Sequence, residues 1–271
     1  MKVVVLDGGG PTAAQTAQRV KDHGHEVAVV SASTGADALT GVGLADTLTG
    51  CSVVIDLSGP PSLDDGTLTE EDGLVIDEDA VLARVGHSTA DLLAAEAAVG
   101  VEHHVSLSVV GVERVREEGA FRALQAQEEM IRGSGIPYSI VRATQLFESV
   151  EEIATAATQD WIVWVPPVEV RPVACAEVAT LLAHTAAFKP WNSAREIAGP
   201  EQFRLDTFVR VALAADAADQ EHRRVFTDDR STLFGARIRR TDLLPGPGAH
   251  IAQQRYGDWL ADRRVPEATM P

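Results

Sequence analysis

The sequence predicts an α/β fold: a doubly wound parallel sheet carrying a small C-terminal α+β cap. Three observations lead there. In the first half, short Val/Ile/Leu runs alternate with helical stretches, the order that yields a parallel sheet with helices on both faces. The runs are apolar at successive positions, as strands buried on both faces require. The first run, Val3–Leu6, ends in a glycine turn that opens directly into a helix.

Taken in order, Val3–Leu6 is the first strand, and a helix runs from Pro11 to about Asp22, with proline suited to its first turn. Gly24 ends that helix, and Glu26–Ser31 is the second strand. A short helix is expected over Gly43–Thr49 and a third strand over Ser52–Leu57. Thr89–Ala98 reads as an Ala/Leu helix stopped by Gly100, and Glu102–Leu107 as the fourth strand. Gly119–Arg132 places Phe121, Leu124 and Ile131 near one helix face; Gly133 and Gly135 end it, and Tyr138–Arg142 is the fifth strand. Beyond, short strands are expected at Trp161–Val165, Glu169–Pro172 and Glu196–Ala198. Helices are expected at Ala176–Ala187, Leu205–Ala215 and Arg255–Arg263. The expected division is 1–145 for the sheet domain and 146–271 for a cap packed on its C-terminal edge, where such folds bind ligands. Trp161 and Trp164, alternating with apolar residues, are expected in the cap core.

The 271 residues carry a net charge of -17, which argues against binding nucleic acid or an anionic membrane. No apolar run approaches the roughly 18 residues of a membrane helix, and no signal-peptide pattern stands at the N-terminus. Cys51 and Cys175 read as reduced core thiols of a cytoplasmic protein. No Cys/His spacing suggests a metal site: His103 and His104, adjacent at a strand start, point to opposite faces. Leu63–Asp79 holds eight carboxylates and no basic residue. It reads as a solvated acidic loop, with a lid over the cleft or a protein-contact surface as the sharper alternatives.

Gly8, Gly10 and Ala13 satisfy G-x-G-x-x-[G/A], the Rossmann turn that lets a pyrophosphate approach backbone N–H groups at a helix N-terminus. Pro11 and Thr12 belong to the same corner. With the glycine turn stand Val54–Ser58, Leu93–Ala98, His103–Gly111, Gln127–Ile131 and Ser134–Gln145. Through these segments the chain resembles the NmrA-like branch of the atypical short-chain dehydrogenase/reductases. The resemblance implies a Rossmann sheet binding NAD(P)(H), with a substrate cleft under the cap. Set against that branch, the acidic stretch around Gly66–Glu78 looks like an insertion. Two departures accompany the resemblance. Its usual turn is G-x-x-G-x-x-G, and here those positions hold Asp7, Gly10 and Ala13. Active short-chain enzymes carry Tyr-x-x-x-Lys on the helix after the fourth strand, and here Ala120 and Leu124 occupy those places. Carbonyl reduction by that pair is therefore excluded, whereas hydride transfer that needs only cofactor orientation is not.

The candidate site follows from these positions. Gly8, Gly10, Pro11 and Thr12 would hold the pyrophosphate. Ser31 and Ser33, after the second strand, offer neither the acid of an NAD site nor the base of an NADP site, which mildly favours NADP(H) over NAD(H). A turn kept for packing, with no cofactor, is the alternative. Asp56 and Ser58 would meet the adenosine half. Ser108, at the end of the fourth strand, and His87 are the catalytic candidates. Gln145, Phe147 and Glu148 would line the substrate. The expected activity is an atypical NAD(P)H-dependent oxidoreductase acting on a small organic molecule. A non-redox isomerase, dehydratase or cyclase reusing the cleft is one alternative; a non-catalytic redox sensor binding a protein partner is another. Association into a homo-oligomer stays open.

Overall fold

The structure, a computed structural model, describes residues 1–7, 10–30, 43–58, 78–115, 119–215 and 223–264. The first half runs β1 (Lys2–Asp7), α1 (Thr12–Asp22), β2 (Glu26–Val30), α2 (Leu44–Leu48), β3 (Val53–Leu57), α3 (Glu78–Val99), β4 (His103–Val109), α4 (Gly119–Gly133) and β5 (Tyr138–Ala143). The second half runs α5 (Val150–Ala156), β6 (Thr158–Gln159), β7 (Ile162–Val165), β8 (Glu169–Val170), α6 (Cys175–Ala187), β9 (Ser193–Ala198), β10 (Phe203–Arg204), α7 (Leu205–Ala215), β11 (Arg224–Thr227), β12 (His250–Ile251) and α8 (Tyr256–Arg264).

The main sheet has seven strands in the order β12-β9-β5-β4-β3-β1-β2, and every pairing in it is parallel. Val3, Val4, Val5 and Leu6 of β1 are wholly buried, as a central strand covered on both faces must be. Val3 and Val5 pack with α1 and α6, whereas Val4 and Leu6 pack with α2 and α3. The chain therefore forms the expected parallel doubly wound sheet, with further α/β elements as a cap.

The cap has its own apolar core of Phe147, Ile153, Val163, Phe208, Tyr256 and Trp259, contributed by α5, α7, α8 and the small sheets β11-β7-β6 and β10-β8. The chain crosses the division expected at residue 145 more than once. After α5 to β8 it returns to the main sheet with α6, which packs on α1, and β9, which pairs with β5. It goes back to the cap through β10, α7 and β11, and returns with β12 beside β9.

Three local expectations are corrected. Helix α3 starts at Glu78, well before Thr89, so the last two residues of the acidic segment are helical and residues 63–77 lie outside the described ones. A carboxylate there is favoured by the helix dipole, and Asp79 also pairs with Arg122 at 2.9 Å. Trp161 is 65% exposed, not in the cap core. With Asp160 it forms the two-residue turn joining β6 to β7, both at positive φ (48° and 67°), the backbone that matches strand twist in a tight hairpin. Trp164 is half-buried, its ring 5.5 Å from that of Phe226.

Candidate functional site

The sheet reverses its winding at β1, since β2 lies on one side and β3 on the other. The crevice at the carboxyl ends of β1 and β3 is where open α/β sheets take ligands. Asp7 ends β1 opposite Leu57 of β3, and strand alternation puts it on the face of Val3 and Val5, under α1 and α6. Gly8 lies outside the described residues. Gly10 and Pro11 are exposed, and a Cβ on Gly10 would meet no atom within 4 Å. Pro11 stands at the N-cap of α1 and supplies no side-chain cap to its first turn.

The corner beside this crevice is tied together by side chains. Thr12 is buried, and its hydroxyl accepts a hydrogen bond from the Cys175 thiol at 3.3 Å. Burial pushes that thiol up to about 11, against the Thr12 bond, so it is an inert core thiol. The Cys175 backbone N–H donates to Glu148 Oε2 at 3.0 Å. Burial raises the Glu148 carboxyl above its ordinary value, opposed by bonds from its own N–H, Cys175 and the Trp259 ring. Glu148 thus closes the first turn of α6. Gln145 is 9% exposed, its carbonyl accepts from the Val173 N–H, and its buried side-chain Oε1 has no partner among the described residues. Phe147 does not line a cleft: it is 1% exposed, with its ring 5.0 Å from Tyr256 and 5.5 Å from Trp259 in the cap core.

The opposite face of the sheet holds a feature that sequence reading missed. Under α3 and α4, a row of buried polar groups runs along β3, β4 and β5. At one end His104 Nδ1 contacts both Glu96 oxygens, at 2.9 and 3.0 Å, with both side chains wholly buried. Burial opposes charge on this imidazole, but Glu96, through its charge and its hydrogen bond, and then Asp56 raise its pKa above the ordinary value. Asp56 is 1% exposed; its Oδ2 accepts from Gln127 at 3.1 Å, and its Oδ1 from the Ser58 N–H at 2.9 Å and the Ser58 hydroxyl. Asp56 and the Ser58 hydroxyl therefore secure the turn after β3 and are not presented to an adenosine. Ser108 is 3% exposed and donates to Glu128 Oε1 at 2.7 Å. Glu128 also receives Arg142 (2.9 and 2.7 Å) and Arg132 (2.5 Å), and Arg142 reaches Glu113 at 2.8 Å. Ser108 is thus turned into an ion cluster beneath α4, with its hydroxyl proton committed to Glu128.

Of the remaining candidates, His87 is exposed on α3, with no hydrogen bond or ion pair among the described residues, and joins no catalytic arrangement. Ser31 and Ser33 lie outside the described residues. Leu124 is 5% exposed, and Ala120 donates its N–H to the Phe234 carbonyl at 3.1 Å. A turn of the cap, closed by the Leu233–Ala236 bridge, rests on this start of α4. A Cβ on Gly119 would stand 2.2 Å from the Phe234 oxygen, and Gly119 adopts φ +56°, so only glycine fits there. The structure brings together Gly10, Pro11, Thr12, Gln145 and Glu148 around one corner. His87, Phe147, Asp56 and Ser108 play other parts.

No protein-family model matches the sequence, and no curated protein does. Solved structures do. The chain is similar to DesIV of Streptomyces venezuelae, a dTDP-glucose 4,6-dehydratase solved with NAD, with a TM-score of 0.68 at 14% identity over 96% of this chain and 95% of that one. It is similar to a UDP-glucose 4-epimerase of Thermotoga maritima solved with UDP-glucose, with a TM-score of 0.62 at 12% identity over 89% and 90% of the two chains. It is also similar to the quinone oxidoreductase QOR2 of Escherichia coli solved with NADPH, with a TM-score of 0.57 at 15% identity over 84% and 78%. At these identities the likeness concerns the fold, a Rossmann sheet with a cap. Among the described residues, no helix is long and apolar enough to cross a membrane.

Proposed function

We propose that this chain is an atypical NAD(P)H-dependent oxidoreductase of the NmrA-like kind, acting on a small organic molecule without a Tyr/Lys pair. The observation that carries this reading is the uncapped N-terminus of α1, set at the winding reversal of the sheet beside the open space at Gly10. Main-chain N–H groups and a helix dipole at that point suit a pyrophosphate. The group fits the residues present. The N–H groups of Gly10, Thr12 and Ala13 would hold the phosphates, and the orphaned Gln145 Oε1 is ready to accept from an amide or hydroxyl. A bound NAD(P)H supplies a hydride; the chain binds, orients and excludes water. With Ala120 and Leu124 at the places of the acid and its tuning cation, no side chain there donates a proton. The reading therefore favours acceptors such as quinones or enones, whose oxygen takes its proton from solvent.

Asp7 opposes this site. An uncompensated carboxylate brought within about 4 Å of a phosphate, at an effective dielectric of about 20, would cost about 4 kcal/mol. Titration of the purified protein with NADPH and NADH, followed by cofactor fluorescence, tests the reading, together with hydride transfer to a quinone series. Asp7→Gly should tighten binding by at least about 10-fold on the same electrostatic argument. Absence of binding to either dinucleotide in both proteins would overturn the reading. It would favour the second one, a non-redox dehydratase or isomerase using the same crevice, which the apolar Ala120 and Leu124 also support.

A further inference from the structure

Helices α1 and α6 lie side by side and run in the same direction, as their two points of meeting show. At their starts the Cys175 thiol reaches the Thr12 hydroxyl at 3.3 Å. At their far ends stand His23, the C-cap of α1, and His184, in the last turn of α6. His23 lies eleven residues beyond Thr12 and His184 nine beyond Cys175, similar distances along two helices. Their ring centres are 6.3 Å apart, with the ring planes inclined at 56°. Among the described residues this is the one pair of histidine rings in contact, and both residues are exposed.

The surroundings leave both imidazoles open to a ligand. Neither ring makes a hydrogen bond or ion pair among the described residues. The Phe188 ring lies 4.3 Å from that of His184, tilted by 38°, and limits how far that ring can turn. Asp22, next to His23 in the chain, is engaged by Gln18 at 2.9 Å and Arg19 at 3.8 Å. No third His, Cys, Asp or Glu joins the pair in a metal-holding group among the described residues. An ion held there would take two protein nitrogens and fill its remaining positions with water, and would therefore exchange readily. An imidazole nitrogen binds a transition metal at about 2.0–2.1 Å; with roughly 1.1 Å more to the ring centre, two rings on one ion have centres about 5 Å apart at a tetrahedral angle and about 6 Å apart when opposed. The observed 6.3 Å lies just beyond the opposed case, a gap that rotation of exposed side chains closes.

We propose that His23 and His184 form an exchangeable binding site for a late transition-metal dication, copper(II) before nickel(II) or zinc(II). Imidazole nitrogen suits these ions, whereas magnesium, calcium and manganese prefer carboxylate, carbonyl and water oxygen. Copper(II) stands first because affinity for a given nitrogen site peaks there along the first-row dications. The bound ion clasps the ends of α1 and α6 that lie opposite the Thr12 and Cys175 corner. The proposal does not depend on a dinucleotide binding at that corner.

Copper(II) sulfate is the probe, titrated by calorimetry into the full chain, with electron paramagnetic resonance recorded at the first equivalent. One ion should bind per chain with the signature of two nitrogen ligands. His23→Ala and His184→Ala should each lower that affinity by at least about 10-fold, because a second ligand on a rigid neighbour acts at high effective concentration. His250→Ala, at an exposed residue of β12, should leave it unchanged. Saturating copper(II) should raise the thermal midpoint of the native chain and not that of the double variant His23→Ala/His184→Ala, since the ion binds the folded pairing alone. Three results would each overturn the site: copper(II) binding no tighter than that of the double variant, an equal loss in His250→Ala, or manganese(II) competing for the site as strongly as zinc(II). Failure of NADPH titration with copper(II) still bound would sink the oxidoreductase reading and leave this site standing.

Discussion

Glu128 shows how a single residue can look catalytic from its neighbours and be structural. It is 2% exposed and accepts from Ser108, Arg132 and Arg142. Burial alone would raise its pKa, but Arg142 and Ser108, and then Arg132, hold it below the ordinary carboxylate value. A depressed folded pKa contributes stability above about 4.5 that is lost as pH falls through the folded value. Glu128→Gln should therefore cost about 3–5 kcal/mol in urea unfolding at neutral pH, because the half-buried Arg142 loses its principal counter-charge. A cost below about 1 kcal/mol would mean that Glu113 alone suffices for Arg142. The His104–Glu96 pair has the opposite sign. Its raised folded pKa contributes stability that is full below about 6.5 and lost as pH rises through the folded value. Relative to the double variant Glu96→Leu/His104→Leu, the native chain should thus lose stability between pH 6 and pH 9, measured by urea midpoints at each pH. An unchanged difference would show that His104 stays neutral. Tyr256 is 1% exposed, and its hydroxyl has no hydrogen-bond partner among the described residues. Tyr256→Phe should leave stability equal or raise it by about 1 kcal/mol, whereas Tyr256→Ala should cost about 3–5 kcal/mol.

At the scale of elements, strands covered on both faces were legible because burial leaves a continuous apolar word in the sequence. Val3–Leu6 and Val53–Ile55 are examples. Elements of two residues, such as β10 and β12, carry no such word; β10 exists through pairing with β8, β12 with β9. The start of α3 was missed because residues before Thr89 mix acids with Gly86 and do not spell a helix locally. The place of Gln145 and Glu148 beyond the end of β5 was legible, because both follow an apolar strand run. The candidate site was illegible where the deciding contact spans the chain: Gln127 meets Asp56 across 71 positions, and Glu128 meets Ser108 across 20. A hydroxyl at a strand end signals position but not the partner waiting on a later helix. The clasp of the cap turn on α4 is similar, since Gly119 and Phe234 meet only in the fold. Gly119→Ala must move the Phe234 carbonyl and adopt an unfavourable φ, so it should cost more than about 1 kcal/mol. Thermal unfolding checks this, and an unshifted midpoint would show that the clasp yields without cost.

For the whole molecule, the decisive feature is that sheet and cap are threaded through each other. Cap segments before α6 and after β9 flank two elements of the main sheet, and Phe147 at the end of β5 packs on Tyr256 and Trp259 of α8. Neither part is made from one continuous piece of chain. Unfolding by urea should therefore give one transition, with far-ultraviolet dichroism and tryptophan fluorescence coinciding; separated midpoints would show that the cap melts alone. The same threading matters while the chain is being made. Strand β9 ends at Ala198, but its outer neighbour begins only at His250. At ribosomal speeds of about 5–20 residues per second, the intervening stretch takes roughly 3–10 seconds to emerge. During that interval the nascent sheet carries an open edge, and the aromatic residues awaiting α8 lack their lid. The side of this protein most exposed to chaperones, or to a neighbouring nascent chain, is thus the one completed last.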